Sequence, residues 1–299
     1  MRCAQMNMLN SVQRDCEPSR RESGSGFTLI EMLVVIALIA VLASLLFPAL
    51  AKARSRAQAI TCLNNARQLL IAWHLYATDH GDRLPYNLGG VPRAGAVSPR
   101  TDLNWVNNIL NWEVENPDNT NTATLTESSL GSYVGKNARV YHCPSDTALS
   151  ARQRSAGWTQ RVRSYSMNAM VGNAGELSNG GVNRNNPDYV QFFTVNSIPR
   201  PTAIFVFLDE HPDSIDDGYF LNKYIKEDDA YEWIDLPASY HAGAASVAFA
   251  DGHSELHRWK SESTRPPPYP GVANFPLKIA KKEAADYYWV INRMSVDRD

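Results

Sequence analysis

From Thr28 to Phe47 the chain runs for twenty residues in which Glu31 alone is ionisable. At about 1.5 Å of rise per residue, that stretch predicts a helix of roughly 30 Å, the thickness of a bilayer's hydrocarbon core. From Ala49 to His80 the pattern changes, with no glycine and no proline after Pro48. Ile60, Leu63, Ala66, Leu70, Trp73 and Ala77 recur at steps of three and four and predict one apolar stripe. Arg54, Gln58, Asn65 and Gln68 lie largely off it. The segment HGDRLPYN predicts a stop near Gly81, with Pro85 forbidding continuation. The expectation is one helix of about 54 residues, roughly 80 Å long. Its first half suits lipid and its second half suits packing against a sheet.

Beyond that helix the pattern is shorter and more broken. Residues 82–135 are rich in Asn, Pro, Gly and Thr, with Trp105 and Trp112 among them, and predict long loops with short helices. Arg139 to Cys143 predicts a short strand, and RSYSMNAMVGN (Arg163 to Asn173) a strand running into a turn. AIFVFLDE, Ala203 to Glu210, predicts a buried strand closed by two acids. SYHAGAASVAFADGHSELHRW predicts a hairpin turning on Asp251-Gly252, with Ala250 opposite His253 and Phe249 opposite Ser254. That register puts Val247, Phe249 and Leu256 on one face and His253, Glu255 and His257 on the other. The proline-rich Ser263 to Pro276 predicts an extended connection, and residues 277–294 a short terminal helix with Ile279, Ala284 and Ile291 as core contacts. The fold class is α+β: a long N-terminal helix packed on a mainly antiparallel sheet with long loops.

Three readings compete for the apolar run. A secretory signal peptide has a small-residue cleavage site in Ala49 to Ala51, but its apolar region usually spans about 7–15 residues. A plain membrane anchor explains the length and leaves Glu31 unexplained. A buried core helix fits poorly with apolar residues all round. A carboxylate at mid-membrane depth costs about 2.5–3.5 kcal/mol, so such acids usually have a partner. Cleavage between Gly26 and Phe27 would make Glu31 the fifth residue of the product. The new amine of one copy could then neutralise Glu31 of the next, making the acid a register pin. Basic residues flank the run almost evenly (Arg2, Arg14, Arg20, Arg21 before; Lys52, Arg54, Arg56, Arg67 after), so charge does not set the orientation.

The segment G-F-T-L-I-E followed by a long apolar run resembles the prepilin-type cleavage and methylation segment of type IV pilins and type II secretion pseudopilins. The resemblance implies that a membrane aspartyl peptidase cuts after Gly26, that Phe27 becomes N-methylated and that Glu31 is the assembly glutamate. Pro48 fits the family's helix-kinking proline. His241, Asp251 and Gly252 match the H-x9-DG pattern that accompanies such N-termini in one large group of pseudopilin-like proteins. CLNNARQLLIAWHLYATDHGDRLP, CPSD and RSYSMN are similar to that group as well. The implied organisation is a leader (1–26), a transmembrane assembly helix (27–48), an amphipathic helix (49–81) and an extracytoplasmic α+β domain (82–299). The implied role is a structural subunit of a type II secretion or type IV pilus-like machine. Its partners would be a prepilin peptidase, other pilin-like subunits and the inner membrane, with the C-terminal domain in the periplasm. A tethered binding module for glycan or cargo and an anchored hydrolase are the alternatives.

Composition narrows this further. A net charge of −2 supplies no basic excess for phosphates and argues against nucleic acid. Of four cysteines, Cys3 and Cys16 fall in the leader, whereas Cys62 and Cys143 remain as a candidate disulfide closing a loop of about 80 residues. Asp209, Glu210, Asp213, Asp216 and Asp217 form a candidate calcium loop, hard oxygen ligands after a strand; pseudopilins with a late calcium loop strengthen it by resemblance. His253, Glu255 and His257 alternate along one strand face and are a weaker zinc candidate, spaced about 7 Å apart. No nucleophile elbow, phosphate loop or dinucleotide fingerprint occurs, so the chain is not expected to be an enzyme.

Overall fold

The computed structural model describes residues 27–89, 100–225 and 230–298. The expected leader, with Cys3, Cys16 and Gly26, lies outside the described residues. The chain divides into two compact units, with the boundary between Leu50 and Ala51. Helix α1, Leu29–Asp79, crosses that boundary and contains Pro48.

In the first unit every residue from Phe27 to Leu50 is exposed except Ala43, which is half-buried. Leu29, Leu45 and Phe47 are each about 70–80% accessible (79%, 72% and 69%). The segment is long and apolar enough to cross a membrane. An all-round apolar helix with no protein cover fits lipid or other helices rather than water.

In the second unit the remainder of α1 is amphipathic. Its buried residues are Ala59, Cys62, Ala66, Leu69, Leu70, Ala72, Trp73, Tyr76 and Ala77. The stripe is rotated from the expected one, because Ile60 is exposed and Cys62 takes its place against the core. The helix ends as predicted. Gly81 adopts a left-handed φ of 64°, and the Asp82 N–H reaches back to the Ala77 carbonyl at 2.8 Å.

The main sheet contains β1 (Tyr165–Asn168), β2 (Phe205–Asp209), β3 (Tyr219–Phe220), β5 (Ala244–Phe249) and β6 (Ser254–Arg258). Their spatial order is β3-β1-β2-β5-β6, antiparallel except for β1 with β3. A second sheet pairs β4 (Glu232–Trp233) with β7 (Leu277–Lys278). Short helices α2 (Ala123–Thr126) and α3 (Ala151–Ser155) sit in the loops, and α4 (Ala285–Ile291) closes the chain.

Both faces of the main sheet are covered, by different elements. The α1 stripe packs with Tyr165, Met167, Val206, Phe207 and Ala248. Phe205, Leu208, Val247 and Phe249 pack with Tyr287, Val290 and Ile291 of α4. This explains why β2 reads as an unbroken apolar run instead of alternating.

Three expectations are corrected. Residues 138–141 form a 3-10 turn, not a strand, because the Asn137 side chain caps the Arg139 N–H. The terminal helix is shorter than 277–294, since Leu277–Lys278 is paired to β4 and α4 begins at Ala285. The hairpin register is one residue off the prediction. Val247 faces Glu255, Ala248 faces Ser254, and the Phe249 N–H bonds the His253 carbonyl at 2.9 Å. The turn therefore has three residues, Ala250 to Gly252, with Gly252 at φ 102°. The Ala250 and Asp251 N–H groups are taken by Ile204 and Pro201 ahead of β2, which pulls Ala250 out of the ladder. Leu256 consequently pairs with Ser246 and leaves the Val247–Phe249 face, where it is 39% exposed.

Leu70 is fully buried in this seam. Leu70→Ala should lower unfolding stability by about 2–5 kcal/mol, measured by thermal or denaturant melts of the chain in detergent. Leu42→Ala, at a site 60% exposed, should leave the same melt unchanged.

Candidate functional site

The N-terminal acid is held by its own chain. The Thr28 N–H and Thr28 Oγ1 both donate to Glu31 Oε2, at 2.8 and 2.7 Å, while the Glu31 N–H reaches Thr28 Oγ1 at 3.3 Å. Thr28 precedes the first helical residue and Glu31 is three positions on, which makes T-x-x-E a capping box. Two of the free N–H groups at the helix start are satisfied, and the carboxylate sits at the positive end of the helix dipole. The T-x-x-E spacing is itself the sequence signal for this cap. Both bonds from Thr28 converge on one carboxylate oxygen, Oε2. Phe27, at the mouth of the site, is 72% exposed. Gly26 lies outside the described residues.

The two remaining cysteines meet, but not as a bridge. Cys62 on α1 and Cys143 after the 138–141 turn are both buried free thiols. Their sulfurs share a site with Asp209 from the end of β2 and His241 from the loop entering β5, and the four ligand atoms all lie within 4.8 Å of one another. Cys62 Sγ is 3.2 Å from both Asp209 oxygens, Cys143 Sγ is 3.4 Å from His241 Nε2, and His241 Nε2 is 3.7 Å from Asp209 Oδ2. The Ser246 N–H donates to Asp209 Oδ2 at 2.8 Å, and the Tyr165 hydroxyl lies 2.9 Å from Cys62 Sγ. Burial pushes the Cys62 and Cys143 thiols up and the Asp209 carboxyl up to about 7, and it lowers His241 to about 4.

A β-bulge brings Asp209 to this place. The β2–β5 register shifts by one between Phe205 and Phe207. Val206 and Phe207 therefore both face α1, Leu208 faces α4, and Asp209 returns to the α1 side. No local sequence signal marks that bulge, and the four ligands come from four segments remote in the chain, so the sequence did not reveal the cluster.

The five acids expected to hold calcium do not converge. Asp209 belongs to the cysteine cluster. Glu210 points elsewhere and accepts from Ser214 Oγ at 2.8 Å. Asp213 accepts the Tyr269 N–H, Asp216 the Asp217 N–H, and Asp217 the Tyr219 N–H. A hydroxyl and backbone N–H groups take up these carboxylates one by one, although Asp216 lies near enough to add to the burial that pushes the Glu210 carboxyl up to about 8. Nor do His253, Glu255 and His257 form a metal face. His253 stacks on Phe249 at 4.4 Å and His257 on Trp289 at 3.7 Å, with His253 Nδ1 held 2.6 Å from Asp251 Oδ1. Among the described residues, the cysteine cluster is the one group of three or more His, Cys, Asp or Glu side chains gathered closely enough to share a metal. His241 and Asp251-Gly252 stand at opposite ends of β5 and do not share a site.

Comparison with known proteins fits this geometry. Residues 23–47 match the family model described as the prokaryotic N-terminal methylation motif. Residues 51–201, half of the chain, match the model described as "Protein of unknown function (DUF1559)". A competence protein, ComGC of Halalkalibacterium halodurans, is 37% identical over 73 residues, covering 24% of this chain and 71% of that protein. No solved structure matches the chain.

Thr28→Val should remove the cap while keeping the shape of the side chain. Loss of such a cap costs about 1 kcal/mol, and amide exchange at residues 29–31 in detergent micelles should become several-fold faster.

Proposed function

The chain belongs to the DUF1559 proteins with a type IV pilin-like N-terminus, and from that premise we propose that it is a pseudopilin-like structural subunit of a type II secretion or type IV pilus-like machine. In this reading a prepilin peptidase cuts between Gly26 and Phe27 and methylates the new amine. Residues 27–48 then anchor the subunit in the inner membrane and assemble side by side with other pilin-like helices, with the domain beyond held on the extracytoplasmic side.

The observation that carries the reading is the capped glutamate at the start of an uncovered apolar helix. Exposed Leu, Ile and Val cover the helix on all sides from Leu29 to Leu50, so lipid or neighbouring helices are the surroundings in which it is stable. Within one subunit Thr28 satisfies Oε2 of Glu31. In the proposed assembly the methylated amine of an adjacent Phe27 approaches Oε1, so that the carboxylate is paired from both sides. A charged pair with its hydrogen bonds made is tolerated at low dielectric, whereas either partner alone is not. The methylation motif and the likeness to a competence protein support a pilin-like subunit without choosing between secretion and a pilus.

Mass spectrometry of protein recovered from membranes should find N-methyl-Phe27 as the first residue. A start at Lys52 would instead mean a cleaved signal peptide and overturn the proposal. Glu31→Ala should abolish incorporation into cross-linkable assemblies while membrane insertion persists, and Glu31→Gln should do so nearly as well because it keeps the cap but loses the charge. Undiminished assembly of both variants would exclude the pairing.

A further inference from the structure

The cluster beneath β2 and β5 gathers two thiols, an imidazole and a carboxyl in a buried place. Asp209 is a fully buried carboxylate. Among the described residues it is paired with no lysine or arginine; its partners are a thiol, the His241 imidazole and one backbone N–H. A buried carboxylate without a cation is strongly disfavoured. A disulfide between Cys62 and Cys143 would use two of the four groups and leave Asp209 and His241 without a purpose.

We infer that Cys62 Sγ, Cys143 Sγ, an Asp209 carboxylate oxygen and His241 Nε2 are the four ligands of a structural zinc ion. The donor set selects the metal. Two thiolates exclude calcium and magnesium, which require oxygen, while a mixed sulfur, nitrogen and oxygen set suits zinc. The geometry agrees. Zinc bonds of about 2.0–2.3 Å in a tetrahedron place ligand atoms roughly 3.3–3.8 Å apart. Three of the six separations are 3.2 Å for Cys62 to Asp209, 3.4 Å for Cys143 to His241 and 3.7 Å for His241 to Asp209, and the others are within 4.8 Å, so the ligands need draw in by no more than about 1 Å to close on an ion. All four side chains are buried, and the protein fills every tetrahedral position, which marks a structural site over a catalytic one.

Outer contacts already orient two of the four ligands, Asp209 and Cys62. The Ser246 N–H fixes Asp209, and the Tyr165 hydroxyl touches Cys62 Sγ while donating to the Cys62 carbonyl at 2.8 Å. On binding, the two thiols give up their protons to solvent, so the ion and its three anionic ligands carry a net charge of −1. The ion would tie α1, the loop after Tyr141, the end of β2 and the entry to β5 to one point. It would also keep two adjacent thiols from oxidising in an extracytoplasmic setting.

The test is metal analysis of the full-length chain purified in detergent with no chelator and no added metal, followed by exchange with cobalt. One zinc per chain is expected, and the cobalt form should show thiolate charge-transfer absorption together with intense tetrahedral d–d bands. Cys143→Ser and His241→Ala should each remove the zinc, and Tyr165→Phe should weaken binding by about 10–100-fold. His253→Ala, on the hairpin turn, should retain it. Because ligand variants can fail to fold, alkylation of the wild-type protein in mild denaturant gives a second readout. Since burial alone shields both thiols in the folded chain, chelator should make both react several-fold faster at a denaturant concentration where the chelator-free protein stays protected. Equal rates with and without chelator would count against the ion. Wild-type protein with a Cys62–Cys143 disulfide and no zinc would overturn the inference. So would reduced protein that takes up neither zinc nor cobalt, or ligand variants that keep a full complement of metal.

Discussion

The seam between the buried stripe of α1 and the main sheet is the contact on which the second unit depends. Cys62, Ala66, Leu69, Leu70, Trp73, Tyr76 and Ala77 spend one helical face on it, and at ordinary burial values those larger apolar side chains each contribute on the order of 1.5–3 kcal/mol. Alanines at positions 59, 66, 72 and 77 alternate along this face with larger side chains, and Trp73 is fully buried among them. The sheet, being covered on its other face by α4, has no second place for such a helix. Packing of this kind fixes rotation as well as position. A helix turned by one residue would bury Ile60 in place of Cys62 and move the thiol away from Asp209.

That rotation was the part of the helix that its sequence left ambiguous. The existence of α1, its end at Gly81 and its change from all-round apolar to amphipathic were legible, because hydrophobic periodicity and a left-handed terminus are local properties. Choosing between a stripe through Ile60 and one through Cys62 was not possible locally, since both satisfy a three- and four-residue repeat. Cysteine behaves as a small hydrophobe, so its burial needs no special residue beside it. The sheet strands β1, β2 and β5 were legible for the same reason as the helix. The hairpin register was lost because the Ala250 and Asp251 amides bond to Ile204 and Pro201 instead of closing a two-residue turn.

The candidate sites divide along the same line. Glu31 and its neighbours stand within four residues of one another, so a motif could point to them and the capping spacing was there to be read. Asp209 was singled out for the wrong company. In AIFVFLDE it looks like the first acid of an acidic loop, yet the bulge at Val206 turns it under the sheet, and Glu210 points the other way to Ser214. A bulge inside an unbroken apolar run has no compositional mark, because every alternative register is equally hydrophobic. The four residues that meet at His241 are separated by dozens of positions, and only the tertiary fold brings them together.

The H-x9-DG spacing takes on a physical meaning in this light. His241 stands ahead of β5 and Asp251-Gly252 turns the chain after it. A six-residue strand covers about 20 Å, so the two ends cannot meet as a base and its orienting acid. Each end has its own task. At one, His241 Nε2 faces Cys143 and Asp209; at the other, Asp251 Oδ1 accepts the His253 N–H at 3.1 Å and Gly252 takes the positive φ of the turn. The interval between them is then the length of strand needed to carry the chain across β2 from the buried cluster to the exposed turn. Shortening it by one residue would flip either the imidazole or the turn to the opposite face. A fixed count between two unlike anchors is what a strand clamped at both ends requires, and it needs no shared chemistry between them.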